Sequence, residues 1–282
     1  MGLFNNGLFK KRKIVLALGG GSARGLSSIG VLKVLERHIG RENLPFDMII
    51  GTSIGSLIGA AYCAGRPLSE LEEKASCFNW GTLVDLGLHK TGLMKGDKLE
   101  KAIITMVDSI GFEDLRMPFG LTTTNLLSGQ ELLHTSGDLI KLIRASCSWP
   151  GFFTSVEIDG QLLADGGLRN SVPSKAAYDC GASFVVAVDP GFAISNQKID
   201  NVFKALVQSI QIMGEELNAY QSSSADIAIK PDLGEIGQFD FDKSAQVIRQ
   251  GEIAAEKCIK DLKKRLFFDI KMRKSKKYWA RD

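Results

Sequence analysis

The 282-residue sequence has few of the residues on which several classes of protein depend. Its five cysteines never form a C-x-x-C pair, which argues against a disulfide-stapled domain or a zinc ribbon and favours a reducing compartment. Histidine occurs only three times, at His38, His89 and His134. Because no histidine follows residue 134, the Ser…Asp/Glu…His order of an α/β-hydrolase triad cannot be completed by a late histidine.

Long apolar runs are missing as well. The longest uncharged stretch, between Asp47 and Arg66, is rich in Gly, Ser and Thr, whereas a transmembrane helix needs about 20 mostly apolar residues. The basic cluster at residues 10–13 precedes a short apolar run without a signal-peptide cleavage pattern. With 44% hydrophobic and 24% charged residues, the composition is typical of a folded soluble protein, and we expect a cytoplasmic location.

The net charge of +3 is unevenly distributed. Residues 257–282 carry 11 Lys/Arg and 3 Asp/Glu, so the remaining residues, with 24 Lys/Arg and 29 Asp/Glu, sum to −5. Interleaved with Phe267, Tyr278 and Trp279, this basic tail suits either peripheral contact with anionic lipid headgroups or a solvated terminus. Nucleic-acid binding is disfavoured, because the positive charge is confined to one terminus and no recognition motif accompanies it.

The apolar pattern alternates between strand-like and helix-like segments, which indicates an α/β fold with a mainly parallel central sheet. No linker divides the chain, so we expect one domain over residues 1–260 with a core at about 13–241, followed by a basic tail at 261–282. Strands are expected at 13–18, 46–50, 184–188 and 227–229, and hairpins at 119–126/131–134 and 156–158/161–163. Helices are expected at 26–39, 54–64, 67–76, 96–109, 138–145, 202–220 and 244–267.

A G-x-S-x-G motif, Gly51-Thr52-Ser53-Ile54-Gly55, lies between a predicted buried strand and a predicted buried helix. Its small residues allow a sharp turn that presents Ser53 at the end of the strand. The positive end of the following helix suits a developing negative charge. The alternative is a Gly/Ser-rich start of a helix, but the strand–turn–helix context favours a nucleophile.

A glycine turn follows the preceding strand and comprises Gly20, Gly21, Ser22, Ala23 and Arg24. In a right-handed βαβ unit the carboxyl ends of both strands lie at one sheet edge, so this turn is expected beside Ser53. Its exposed backbone N–H groups suit an oxyanion. The alternative, a dinucleotide-binding turn with Asp47 as the ribose ligand, is disfavoured because Asp47 precedes the next strand.

Without a late histidine, Ser53 needs a different base, and a carboxylate that is held within hydrogen-bond reach and shielded from water can accept its proton. Asp165 follows a hairpin strand and is succeeded by Gly166 and Gly167, which permit close backbone approach. Asp189 ends another predicted strand. Spacing alone leaves both aspartates as candidates.

Together these motifs resemble the patatin-like phospholipases. The resemblance rests on the glycine turn with Arg24, the Gly51–Gly55 elbow and a further block that includes Ile143–Ser146, 150–153 and 158–173, and it covers about residues 13–241. It implies a three-layer α/β/α fold and a Ser–Asp dyad. In that dyad Ser53 is the nucleophile and Asp165 is the base, flanked by Gly166 and Gly167. It also implies an oxyanion hole formed by the backbone N–H groups of Gly20, Gly21, Ser22, Ala23 and Arg24.

The function implied by the resemblance is hydrolysis of fatty-acyl esters of phospholipids or lysophospholipids through an acyl-enzyme, with no metal ion and no cofactor. One departure concerns the glycine turn. The family often reads G-G-G-x-R-G, whereas here Ser22 and Ala23 separate Gly21 from Arg24, which leaves the choice of oxyanion donors open. The rival hypothesis is a non-catalytic membrane-surface or regulatory protein that retains the fold, and it is motivated by the basic tail.

Overall fold

The computed structural model describes residues 12–83, 85, 87, 92–192, 194, 199–222, 224–267 and 269. The strands are β1 (Ile14–Leu18), β2 (Met48–Thr52), β3 (Gly92–Met94), β4 (Phe119–Asn125), β5 (Glu131–His134), β6 (Gly151–Phe153), β7 (Val156–Ile158), β8 (Gln161–Asp165), β9 (Phe184–Val188) and β10 (Ile227–Ile229). The helices are α1 (Ser27–Ile39), α2 (Ile54–Cys63), α3 (Leu68–Ser76), α4 (Trp80–Leu83), α5 (Asp97–Val107), α6 (Leu139–Ser146), α7 (Ser174–Asp179), α8 (Val202–Ser222) and α9 (Ser244–Arg265).

The main sheet is connected by hydrogen bonds along the path β10-β9-β1-β2-β4-β8-β7, with β5 also paired to β4. Strands β10, β9, β1, β2 and β4 run parallel to one another, while β5 and β8 run antiparallel to β4. Strands β3 and β6 form a separate two-stranded sheet. The predicted α/β fold with a mainly parallel sheet is therefore confirmed.

One edge of β4 is shared by two strands that run toward each other. Strands β2 and β5 both pair with Thr122, so they lie on opposite edges of β4. Strands β5 and β8 both pair with Thr123, so these two also lie on opposite edges of β4. Since β2 and β8 are both opposite β5, they lie on the same edge of β4. Thr52 ends β2 opposite Thr122, and Asp165 ends β8 opposite Thr123. The carboxyl ends of β2 and β8 therefore meet head to head.

Alternating side chains of β1 supply two cores on opposite faces of the sheet, as the period of two in a strand requires. Leu16 faces the larger core, which includes residues of α1, α2 and α9. Val15 and Ala17 face a smaller core to which α7 contributes Ala177. Helices therefore cover both faces, and the predicted three-layer arrangement is confirmed.

The last helix continues beyond residue 260, where the tail was expected to begin. Helix α9 ends at Arg265, and it buries Leu262, while Leu266 directly after it is also buried. The rest of the predicted basic tail, apart from Phe267 and Asp269, lies outside the described residues, as do the lysines at 10 and 11 and His89. None of the helices in the described part of the chain has the length and hydropathy that crossing a bilayer requires.

Candidate active site

Ser53 occupies a strained turn between β2 and α2. Its backbone has φ 53° and ψ −127°, a conformation that non-glycine residues rarely adopt. The turn is tight enough that a Cβ atom on Gly51 would lie 2.4 Å from the carbonyl oxygen of Gly55. A Cβ atom on Gly55 would lie 2.3 Å from the carbonyl oxygen of Leu18. The two glycines of the motif are therefore required by close backbone approach.

The structure brings Ser53 and Asp165 together. The Ser53 hydroxyl donates a hydrogen bond to Asp165 Oδ2 at 2.8 Å, while the N–H of Gly167 donates to Asp165 Oδ1 at 2.8 Å. Both members of the pair are buried. Burial raises the pKa of Asp165 to about 6, although the hydrogen bonds from Gly167 and Ser53 act in the opposite direction.

Gly166 packs directly against the neighbouring strand. A Cβ atom at this position would lie 2.6 Å from the carbonyl oxygen of Thr122. The two glycines after Asp165 thus have different roles. Gly166 permits close contact with β4, and the N–H of Gly167 donates a hydrogen bond to the carboxylate.

Asp189, the other candidate carboxylate, is engaged elsewhere. Its Oδ1 accepts hydrogen bonds from Asn218 Nδ2 at 2.7 Å and from the N–H of Gly191 at 2.9 Å. Its Oδ2 lies 3.6 Å from Lys230 Nζ. The geometry therefore pairs Ser53 with Asp165 and gives Asp189 a different set of partners.

The glycine turn lies beside Ser53, as the βαβ argument predicts. A Cβ atom on Gly20 would lie 3.2 Å from Ser53 Cβ. At the next two positions the chain has positive φ, 120° at Gly21 and 52° at Ser22. Ser22 thus shares with Ser53 a positive φ, which non-glycine residues rarely adopt.

Three of the five backbone N–H groups predicted to bind the oxyanion are already hydrogen-bonded within the protein. The N–H groups of this set donate to carbonyl oxygens: Gly20 to Ser171 (2.8 Å), Ala23 to Gln238 (3.0 Å) and Arg24 to Gly21 (3.1 Å). Within the described ranges, the N–H groups of Gly21 and Ser22 have no acceptor. These two are the donors that the turn leaves open to a ligand.

The side chain of Arg24 anchors the glycine turn. Its Nε donates to the carbonyl oxygens of Pro190 (3.1 Å) and Gly191 (3.2 Å). Its Nη1 donates to those of Gly234 (3.2 Å) and Ile236 (2.5 Å). The buried guanidinium thus fixes the position of the turn relative to two loops, while its own N–H is occupied.

Two serines near the end of α6 hold both members of the pair. The N–H of Ser53 donates to Ser146 Oγ at 2.9 Å, and that hydroxyl donates to the carbonyl oxygen of Thr122 at 2.8 Å. The N–H of Asp165 donates to the carbonyl oxygen of Ser148 at 3.0 Å. The sequence contains Ser146 in the family-like block but gives it no role, because this contact depends on how α6 packs against β4.

An apolar cavity of about 370 Å³ adjoins Ser53 and Asp165. One wall is a stack of aromatic rings in which Trp149 lies 5.3 Å from Phe152 and 5.7 Å from Phe239, measured between ring centroids. Further apolar side chains line it, including Phe78, Leu99, Phe153 and Phe241. A cavity of this character suits an aliphatic chain whose polar end reaches Ser53.

The histidines that the structure describes have hydrogen-bond partners other than Ser53 and Asp165. His38 Nε2 is 2.9 Å from Glu256 Oε2, and His134 Nε2 is 2.7 Å from Thr123 Oγ1. Burial lowers the pKa of His134. Asp47, the ribose ligand of the nucleotide alternative, accepts the N–H of Ile14 at the amino end of β1, whereas the glycine turn follows its carboxyl end.

Comparison with known proteins identifies relatives over a large part of the chain. The family model described as patatin-like phospholipase matches residues 16–178. The chain is 33% identical over 234 residues to patatin-like phospholipase domain-containing protein 6 of Mus musculus, covering 79% of this chain and 16% of that protein. It is 34% identical over 188 residues to neuropathy target esterase sws of Drosophila melanogaster, covering 63% of this chain and 13% of that one.

A third relative is lysophospholipase NTE1 of Scheffersomyces stipitis, with 31% identity over 192 residues, covering 66% of this chain and 12% of that protein. The chain thus spans 12–16% of the length of these curated relatives. Among solved structures, VipD from Legionella pneumophila is similar in fold, with a TM-score of 0.62 at 13% identity, covering 89% of this chain and 67% of that one.

Proposed function

Because this chain belongs to the patatin-like phospholipase family, we propose that it is a serine lipid acyl hydrolase that cleaves fatty-acyl esters of phospholipids or lysophospholipids. The observation that carries the proposal is the 2.8 Å hydrogen bond from Ser53 Oγ to Asp165 Oδ2 beside an apolar cavity. The proposed chemistry uses neither a metal ion nor a cofactor.

In the first step Ser53 Oγ attacks the ester carbonyl carbon while Asp165 Oδ2 accepts the hydroxyl proton. The tetrahedral intermediate collapses when the bond between the carbonyl carbon and the alcohol oxygen breaks. Asp165 then passes its proton to the leaving alcohol oxygen. The product is an acyl-enzyme on Ser53, with the fatty chain in the apolar cavity.

In the second step water attacks the carbonyl carbon of the acyl-enzyme, and Asp165 accepts a proton from that water. Collapse of the second intermediate returns the proton to Ser53 Oγ and releases the fatty acid. One carboxylate therefore serves both half-reactions, first as base and then as acid in each.

The oxyanion of both intermediates would be stabilised by the N–H groups of Gly21 and Ser22, the two donors without an acceptor among the described residues. The N-terminus of α2, which begins directly after Ser53, adds its positive end. Loss of one such donor costs about 10²–10³ in kcat in well-studied hydrolases. We therefore propose the Gly21–Ser22 pair, narrower than the five residues of the turn, as the oxyanion hole.

A carboxylate can replace histidine here because its environment makes it a stronger base than a free aspartate. Burial raises the pKa of Asp165 to about 6, close to the value of an ordinary imidazole. At neutral pH the group is then ionised yet basic enough to take a proton in the transition state.

The cavity and the relatives support the proposed substrate class. The cavity is apolar and lies next to the proposed nucleophile, which favours a long acyl chain rather than a polar group as its occupant. One relative is named a lysophospholipase and another a phospholipase domain-containing protein. Both substrate classes belong to the proposal, and the assay below separates them.

We also propose that the described elements form a single catalytic domain that includes α9, with the basic tail after it. A cytoplasmic protein in peripheral contact with a membrane fits this arrangement. The charge asymmetry, +8 in residues 257–282 against −5 elsewhere, favours the second candidate function, a non-catalytic membrane-surface protein.

The test is release of fatty acid from phosphatidylcholine and from lysophosphatidylcholine in mixed micelles, measured by mass spectrometry. Ser53→Ala should abolish release, and Asp165→Asn should lower it by about 10²–10⁴-fold. Asp189→Asn is the matched control, a buried aspartate at a strand end with other partners, and should retain most activity.

Release by the Ser53→Ala variant, or equal losses in the two asparagine variants, would contradict the dyad. A folded wild-type chain that releases fatty acid from neither lipid but binds vesicles would favour the non-catalytic candidate. A rate on one lipid far above the other would decide between phospholipase and lysophospholipase activity.

A further inference from the structure

Helix α8 places its apolar side chains outward. At 100° per residue, one side of the helix within an arc of about 80° carries only apolar or aromatic residues. These residues, which we name the α8 stripe, are Val202, Leu206, Ile210, Met213, Leu217 and Tyr220. Four of them are well exposed: Val202 by 77%, Leu206 by 59%, Met213 by 63% and Tyr220 by 82%. The charged residues of the helix fall outside this arc.

The opposite side of the helix is polar and faces the protein. Gln211 and Asn218 lie about 160–180° from Val202, and both are buried. Asn218 Nδ2 donates to the buried Asp189 at 2.7 Å. A surface helix of a globular protein ordinarily buries its apolar stripe and exposes its polar side. Helix α8 has the reverse orientation, so its attachment is partly polar and most of its apolar stripe is exposed.

The α8 stripe is continuous with the cavity beside the nucleophile. Ile210, Met213 and Leu217 belong to the stripe and also line the cavity that contains Ser53 and Asp165. An aliphatic chain that leaves the outer surface of α8 would therefore meet only apolar side chains on its way past this helix.

We propose that the α8 stripe is the surface by which this protein docks on a phospholipid bilayer, with the stripe inserted at the boundary between headgroups and acyl chains. A helix whose exposed side is apolar and whose remaining surface is mostly polar lies in that boundary. A second copy of the chain or another protein on the stripe would cover the cavity where Ile210, Met213 and Leu217 line it. A bilayer instead brings the acyl chain to that point.

This docking is distinct from contact through the basic tail. Attraction of the tail needs anionic lipids and weakens with salt, whereas burial of the apolar stripe operates on neutral lipid as well. The transfer of an acyl chain from the bilayer to Ser53 rests on the proposed function, but the binding itself does not.

The experiment is co-sedimentation of the full chain with phosphatidylcholine vesicles in about 0.15 M salt. Leu206→Glu places a charge in the stripe at a residue that does not line the cavity, and should weaken vesicle binding by at least about tenfold. The matched control is Ile212→Glu, because Ile212 lies on the same helix and is 50% exposed but falls about 80° outside the arc. The control should bind within about twofold of wild type, and all three proteins should hydrolyse a soluble short-chain ester equally.

Wild-type binding by Leu206→Glu would overturn the proposal, as would binding that requires anionic lipid and ignores this substitution. A concentration-dependent dimer that Leu206→Glu dissolves, without vesicle binding, would assign the stripe to a second copy and likewise overturn it. Stripe-dependent binding by a chain that hydrolyses no ester would support the docking surface and contradict the proposed function, so the two failures are distinguishable.

Discussion

Replacing Asp165 by asparagine should stabilise the fold near neutral pH even though it removes the proposed base. Burial raises the pKa of this carboxyl from 3.8 to about 6, so the folded protein holds the ionised form at a cost. The difference corresponds to about 3 kcal/mol at 1.36 kcal/mol per pH unit. Asparagine has the same shape, its oxygen can accept the N–H of Gly167, and its amide can donate to Ser53, so the main change is removal of the charge.

The sign of the effect depends on pH. Because folded Asp165 binds its proton more tightly than the unfolded chain does, its favourable contribution is complete below pH 3.8 and is lost as the pH rises through about 6. Asparagine does not titrate. The variant should therefore be more stable than wild type by about 3 kcal/mol at pH 7.5 and by about half that amount at pH 5.

The assay is urea unfolding of both proteins at pH 5 and pH 7.5, followed by circular dichroism. Asp189→Asn is the control, because this substitution weakens the bonds to Asn218 and Gly191 and should destabilise the fold. A stability difference between Asp165→Asn and wild type that is unchanged between the two pH values, or a loss of stability at pH 7.5, would show that burial of the Asp165 charge does not destabilise the fold.

Three further predictions concern the same site. The value of kcat/KM on a soluble ester should rise about tenfold between pH 5 and pH 7 as Asp165 ionises through its pKa of about 6, and a flat initial-rate profile would contradict it as the base. Ser146→Ala removes the acceptor of the Ser53 N–H. This change should lower the free energy of unfolding, measured by thermal unfolding, by about 1–3 kcal/mol, and it should lower kcat more than it changes KM. An unaltered kcat would show that Ser146 does not position Ser53. Gly55→Ala would force a Cβ within 2.3 Å of a backbone oxygen and should cost at least about 1–3 kcal/mol in urea unfolding, so wild-type stability would show that the elbow can relax.

Much of the fold can be predicted from the sequence, because the long helices and strands have a clear periodicity of apolar residues. The strand at 184–188 and the helix at 54–64 coincide with β9 and α2 almost to the residue. The short elements β3, β6, α4 and α7 were not predicted. Strands β3 and β6 have three residues each, and among the described residues they pair with one another alone, with partners 59 positions apart in sequence, so neither has a local pattern to detect.

The candidate site was predicted in part for a physical reason. The proximity of Ser53 and the glycine turn can be predicted, because a βαβ unit places the carboxyl ends of its two strands at one edge of the sheet. Spacing did not separate Asp165 from Asp189, because the decision depends on β8 sharing an edge of β4 with β2. The oxyanion donors narrowed to Gly21 and Ser22 only when the acceptors of the other N–H groups were known.

The reversed orientation of α8 also cannot be predicted from the sequence. The period of apolar residues over 202–220 predicts a helix, and a helix pattern ordinarily indicates that its apolar side is buried. The buried partner of Asn218 is Asp189, which lies 29 positions away and contacts α8 only in the folded chain. Periodicity therefore identified the element but could not give the direction in which it faces.

The central claim, that Ser53 is a nucleophile activated by Asp165, is tested most directly by labelling the folded protein with a fluorophosphonate and mapping the adduct by peptide mass spectrometry. We expect one adduct, on Ser53, that forms more slowly as the pH falls below about 6 and is strongly reduced in Asp165→Asn but not in Asp189→Asn. An unlabelled Ser53 in the folded wild-type protein, or equal labelling of the wild type and Asp165→Asn, would contradict it.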